Sequence, residues 1–125
     1  MKIIIFGSNG QLGRELEKKL SKKKYIKLTS FSKKKIDITD AQLVKSIFKK
    51  HLPQIVFIAA AYTDVDGSEK NKKECKSVNY YSVKNISKLC KIYKTLLMYY
   101  STDYVFSGNS KTFYSENDKK NPLNY

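Results

Sequence analysis

Three glycines, Gly7, Gly10 and Gly13, recur at every third position near the start of the chain, and the chemistry that they permit is anion binding by bare backbone. Gly7 allows a sharp exit from a preceding strand. Gly10 lets a pyrophosphate approach the main chain, and Gly13 lets a following helix pack close to a sheet. A helix start adds unpaired N–H groups and the positive end of a dipole. The spacing is G-x-x-G-x-x-G rather than the G-x-G-x-x-G of the usual dinucleotide fold, so its meaning depends on context. A second candidate is Ser101-Thr102-Asp103, which can serve chemistry at a strand end or cap a turn. Asp37 is a third, read on spacing alone as either a group at the adenine end of a cofactor or a surface turn residue.

The remaining reactive side chains point to little. Cys75 and Cys90 are the only cysteines; their separation fits no close ligand pair, and both fall in a helical pattern, so reduced, partly buried thiols are expected. His51, the only histidine, closes a helix just before Pro53, where partial positive charge suits the dipole. No metal site is expected.

The elements that must position these groups are legible in the apolar pattern. Ile3-Ile4-Ile5-Phe6 runs without polar alternation, as a strand buried on both faces does. Leu12, Leu16 and Leu20 then share one helical face. Tyr25 to Phe31 reads as a second strand, with no acid in Ser30-Phe31-Ser32-Lys33 to hold a ribose 2′-OH; hydroxyls and lysine there suit a 2′-phosphate better. Thr39 and Gln42 have capping-box spacing ahead of a helix carrying Leu43, Val44, Ile47 and Phe48 that ends before Pro53. Gln54 to Ala60 is a third strand, ending in Ala59-Ala60-Ala61-Tyr62-Thr63, small residues that let backbone lie against a ligand. Asp64 to Gly67 reads as a loop, 71–93 as one long helix with Asn79 near its buried face, and Thr95 to Tyr100 as a strand. Residues 107–125 read as a polar loop over the site. Strands alternate with helices throughout. The expected fold class is α/β, a Rossmann-type parallel sheet with helices on both faces, truncated after about five strands, with 1–125 forming one domain.

With 25 Lys+Arg against 11 Asp+Glu, the chain carries a formal charge of +14. The lysines are scattered over helix ends and loops, and Arg14 is the only arginine, so the charge reads as solvated lysine faces rather than a nucleic-acid site. No segment approaches the ~18 apolar residues of a membrane span, and the N-terminal apolar run is too short for a signal-peptide core. A cytoplasmic protein is expected, with no nucleic acid and no membrane as partner.

The pieces FGSNGQLGREL at 6–16, IDITD at 36–40, AAAYTDVD at 59–66, VN at 78–79, STDYVFSG at 101–108 and NPLNY at 121–125 occur in an order and spacing that resemble the N-terminal part of the dTDP-4-dehydrorhamnose reductases, members of the extended short-chain dehydrogenase/reductase group. The resemblance implies that Gly7, Asn9, Gly10, Gln11, Leu12 and Gly13 line the pyrophosphate turn of a bound NADPH or NADH. It implies that Asp37 and Ile38 flank the adenine, and that Ala59, Ala60, Ala61 and Tyr62 run along the ribose and nicotinamide. Thr102 falls where the family has a catalytic serine or threonine, and Val65 and Asp66 fall near the substrate. The implied reaction reduces the C4 ketone of a dTDP-linked 6-deoxyhexose to give dTDP-L-rhamnose, with a tyrosine as proton donor whose pKa a lysine lowers from about 10.

The family pattern continues N-P-L-N-x-Y-G-x-[ST]-K. Tyr125 falls on the x, so the tyrosine and lysine lie beyond these residues, as does the C-terminal domain that holds the dTDP-sugar. The chain alone is therefore expected to be inactive. An alternative is a non-catalytic NAD(P)-binding or regulatory domain of the same fold. A homodimer, or association through an exposed sheet edge, is the expected assembly.

Overall fold

The computed structural model describes residues 1–109 and 111–123. Four strands, β1 (Lys2–Phe6), β2 (Lys27–Phe31), β3 (Ile55–Ile58) and β4 (Leu96–Tyr99), form one parallel sheet in the order β2-β1-β3-β4. Parallel neighbours need crossovers, and helices supply them: α1 (Gln11–Leu20) joins β1 to β2, and α2 (Ala41–His51) joins β2 to β3. Between β3 and β4 run α3 (Val65–Lys70), α4 (Lys72–Lys76), a π-helical segment (Ser77–Ser82) and α5 (Val83–Ile92). Right-handed crossovers put α1 on one face and α2 with α5 on the other. The strand order reverses direction between β1 and β3, so their carboxyl ends splay into a crevice where such sheets take ligands.

The unalternating Ile3–Phe6 run is buried on both faces as expected. Ile4 and Phe6 join Val56 and Ile58 against Val44, Ile47, Phe48, Ile86 and Leu89 of α2 and α5. Ile3 and Ile5 point the other way and are equally buried. On that second face α1 packs on β1 and β2, while Leu96 and Met98 of β4 remain 57% and 40% exposed. Leu16 and Leu20 are half-buried, and Leu12 is exposed.

Several expectations need correction. The described residues form four strands, not about five, and β2 begins at Lys27 rather than Tyr25, whose carbonyl accepts from the Met1 ammonium at 2.6 Å. The cap of α2 is Asp40, not Thr39: Asp40 Oδ1 accepts from the Leu43 N–H at 2.9 Å, and Thr39 instead donates its N–H and hydroxyl to Asp37 Oδ1 at 2.9 and 2.7 Å. Asp64 to Gly67 is not a loop but the start of α3, capped by Asp64 accepting from the Gly67 N–H at 2.8 Å. A carboxylate one residue ahead of a helix satisfies one of its orphan N–H groups. The long helix over 71–93 is three segments, widened to π geometry around Asn79.

His51 was expected to favour the proton at the end of α2. Instead burial, and then Lys50, Lys27 and Lys2, lower its pKa. Its Nδ1 lies 3.4 Å from the Thr29 hydroxyl and its ring meets Phe31 edge-on. Burial pushes the Cys90 thiol up to about 11, and both cysteines are free and buried.

Two outcomes follow for stability. A Cβ at Gly13 would overlap the Gly7 carbonyl oxygen, a backbone atom that cannot step aside. Gly13→Ala should therefore destabilise by about 1–3 kcal/mol, the usual penalty of overpacking, read as a lower urea midpoint. A histidine whose folded pKa is depressed contributes stability that is complete above its unfolded value and is lost as pH falls through the folded one. Urea midpoints should thus fall between pH 7 and pH 5, and replacing His51 by Gln should flatten that fall; an unchanged slope would contradict it.

Candidate functional site

The Gly7 carbonyl and amide organise the crevice. Gly7 has φ 91°, a left-handed conformation, and its N–H and that of Ser8 both donate to the Phe31 carbonyl, at 2.8 and 3.0 Å. The glycine bend is thereby fixed to the end of β2. On its other side a Cβ at Gly7 would run into the Ala60 amide, so the bend also lies directly on the exit of β3. Gly10 differs from its two companions. A Cβ there would meet only the Gly7 and Ala59 carbonyl oxygens, at 3.5 and 3.8 Å. Protein packing does not require a glycine at that position; a ligand lying on the backbone would. Gly10 is the N-cap of α1, and no side chain caps that helix, which leaves its first amides directed toward the opening.

These elements enclose a cleft of about 200 Å³ lined by Gly7, Asn9 and Gly10 from the bend, Asp37 and Ile38 from beyond β2, and Ala59 to Tyr62 from beyond β3, together with Lys33, Ile36 and Val78. The structure thus brings together nine of the twelve residues named for the cofactor. Gln11, Leu12 and Gly13 are not among the lining residues; Gly13 is spent on the contact between α1 and the bend. Asp37 is exposed at the rim. The Thr39 N–H and hydroxyl hold its carboxyl below the usual range, and Lys33 adds to the effect.

A second cleft, of about 590 Å³, continues from Tyr62 past the end of β4 and is lined by Val65, Ser68, Cys75, Asn79, Ser101 and Thr102 among others. Thr102 is exposed and caps a 3-10 turn at Asp103–Val105: its Oγ1 accepts from the Tyr104 N–H and donates to Asp103 Oδ1, each at 3.2 Å. Its hydroxyl nevertheless borders the cleft that begins where the first one ends. Val65 lines this cleft; Asp66 does not, being exposed in the first turn of α3. Tyr125 lies outside the described residues.

Asn79 joins the two clefts. Its Oδ1 accepts from the Tyr62 N–H at 2.8 Å, and its Nδ2 donates to the Tyr62 carbonyl at 2.9 Å. One side-chain amide therefore satisfies both backbone polar groups of Tyr62, which with Ala61 lines both clefts. The π turn accommodates this, rotating Asn79 toward Tyr62 while Ser82 and Ile86 stay buried. Asn79, which the sequence places near the buried face, is thus satisfied by backbone and ties down the Tyr62 segment with the same two bonds. Val78 and Cys75 carried no signal as site-lining residues, because their periodicity is that of a core helix.

The RmlD substrate binding domain family matches the chain over residues 1–125, and the chain belongs to that family. It is 34% identical over 122 residues to a dTDP-4-dehydrorhamnose reductase of Aggregatibacter actinomycetemcomitans, covering 98% of this chain and 42% of the relative. The crystal structure of a dTDP-4-dehydrorhamnose reductase from Clostridium acetobutylicum superposes with a TM-score of 0.94 at 35% identity, covering 99% of this chain and 44% of that one. That of Bacillus anthracis, in complex with NADP, superposes with a TM-score of 0.93 at 34% identity over 98% and 44% of the two chains. The chain thus spans about two fifths of the length of the relatives it matches.

The geometry at Asn79 makes a direct prediction. Asn79→Ala should strip both partners from the Tyr62 backbone at a cost of about 1–3 kcal/mol for each group left buried. It should also accelerate hydrogen exchange of the Tyr62 amide. Asn79→Asp keeps the acceptor but sets a carboxylate against the Tyr62 carbonyl, and should restore little. Exchange at Tyr62 that is unaltered in both variants would show that Asn79 does not hold this loop.

Proposed function

We propose that this chain is the dinucleotide-binding part of an NAD(P)H-dependent reductase that converts dTDP-4-dehydro-6-deoxy-L-mannose to dTDP-L-rhamnose. The observation that carries the reading is the cleft at the reversal point of the sheet, where Gly10 offers bare backbone and α1 has no side-chain cap. Those features fit a pyrophosphate, and the relative from Bacillus anthracis supports it by its NADP complex.

In this reading Gly7, Asn9, Gly10, Gln11 and Leu12 form the turn that receives the pyrophosphate, with Gly13 seating the helix behind them. Asp37 and Ile38 border the adenine. Ala59, Ala60 and Ala61 lie along the ribose, with Tyr62 turning the cofactor toward the second cleft. When bound, NAD(P)H supplies the hydride. Thr102 would hydrogen-bond the keto oxygen of the sugar, after releasing its bond to Asp103, and Val65 would meet the substrate side. Negative charge building on that oxygen needs a proton donor. The tyrosine and lysine of the family pattern are not among these 125 residues.

The two halves of the reading are separable in solution. The purified 125-residue chain should bind NADPH or NADH, seen as enhanced and blue-shifted nicotinamide fluorescence. Gly10→Val, which fills the opening, should weaken binding by at least about tenfold, since a good charge-assisted contact is worth that much. The same chain should not oxidise NADPH in the presence of the dTDP-4-keto sugar. Steady turnover by the chain alone would refute the assignment of the proton donor to residues outside it, and absence of any dinucleotide binding would refute the cofactor site.

A further inference from the structure

The turn after β2 carries a charge arrangement that the cofactor reading does not by itself require. Lys33 lines the smaller cleft, and its ammonium lies 3.5 Å from Glu74 Oε1, which reaches across from α4. The root of Lys33 is well fixed. The Phe31 carbonyl two residues earlier is bonded to the Gly7 and Ser8 amides, and the Ser32 carbonyl accepts from Lys35 and Ile36, both at 3.0 Å. The lysine therefore stands at a set place relative to the pyrophosphate bend, on the side where the adenosine ribose leaves β2. Its head, by contrast, is loosely held: the two partners are 85% and 54% exposed, and an ion pair so open to water is weak.

Resting on the dinucleotide reading, we propose that Lys33 and Glu74 form an exchangeable charge pair that selects the 2′-phosphorylated dinucleotide. A 2′-phosphate carries nearly two negative charges and three acceptor oxygens, so it competes for the Lys33 ammonium more strongly than a single carboxylate does. Lys34 and Lys35, both exposed in the same turn, add to the positive potential there. The unphosphorylated cofactor brings only a hydroxyl. It meets no carboxylate in Ser30 to Lys35, and the acid nearest along the chain, Asp37, has its Oδ1 already engaged by Thr39. That cofactor leaves the Lys33–Glu74 pair intact and gains nothing from it. Glu74 then has a defined effect: it holds the lysine over the mouth in the free protein and opposes the phosphate once bound.

The test is the dissociation constant of NADPH and of NADH, measured by fluorescence titration on the wild-type chain, Lys33→Ala and Glu74→Gln, each checked for folding by circular dichroism. Wild type should prefer NADPH by about tenfold, the worth of one charge-assisted contact. Lys33→Ala should erase that preference by weakening NADPH about tenfold, with a much smaller loss for NADH. Glu74→Gln should tighten NADPH, and only NADPH, by a few-fold. Adenosine 2′,5′-bisphosphate against adenosine 5′-monophosphate should repeat the pattern without the nicotinamide half. Equal wild-type constants, or a Lys33→Ala loss shared equally by both cofactors, overturn this proposal and leave the cofactor site standing. Failure of both dinucleotides to bind overturns the two together.

Discussion

The contact between main chain and main chain at Gly7 is the constraint on which the other features of the site depend. Three segments meet there without an intervening side chain: the end of β2 through the Phe31 carbonyl, the start of α1 through Gly13, and the exit of β3 through Ala60. The approaches of α1 and of the β3 exit are closer than any Cβ permits. Interiors are packed too densely to yield at such a point, so the crevice has a fixed shape set by backbone rather than by rotamers. Gly10, where a Cβ would make only ordinary contacts at 3.5 and 3.8 Å, is the glycine of the bend that protein packing does not require.

A second layer of constraint comes from side chains that bond to backbone across sequence. Asn79 satisfies both polar groups of Tyr62, and Thr95 donates to the Pro53 carbonyl at 2.8 Å, tying the entry of β4 to that of β3. Asp64 and Asp40 cap the helices that flank the crevice. These bonds align the two clefts so that Tyr62 belongs to both. A hydride donor in one and an acceptor in the other would then be adjacent, which is what a reduction needs.

What could be read in the sequence and what could not divides by range of interaction. The glycine bend, the buried Ile3–Phe6 strand and the alanines after β3 are local statements: each residue type there is dictated by the backbone beside it. The parallel α/β class followed from their order. Asn79 could be noticed as a polar residue in an apolar stripe, but its partner lies 17 residues away, and the π turn that aims it has no local signature. Asp40 displaced Thr39 as a cap because Thr39 found Asp37 first. For His51 the dipole favoured the proton, but burial and three lysines outweighed it, and two of those, Lys2 and Lys27, are brought near only by the fold. The exposed Leu96 and Met98 belong to the same class: their pattern predicts burial, and the described residues leave them open.

The central claim is that the bend, and not some other surface of a strongly basic chain, receives the dinucleotide. Amide chemical-shift mapping during an NADPH titration of the isotopically labelled chain tests it most directly. The account predicts that the largest changes fall on Gly7 to Gly13, Lys33 to Ile38 and Ala59 to Tyr62, saturating together at one-to-one stoichiometry. Small, unsaturating changes spread over the lysine-rich helix ends, with the glycine bend unmoved, would contradict it.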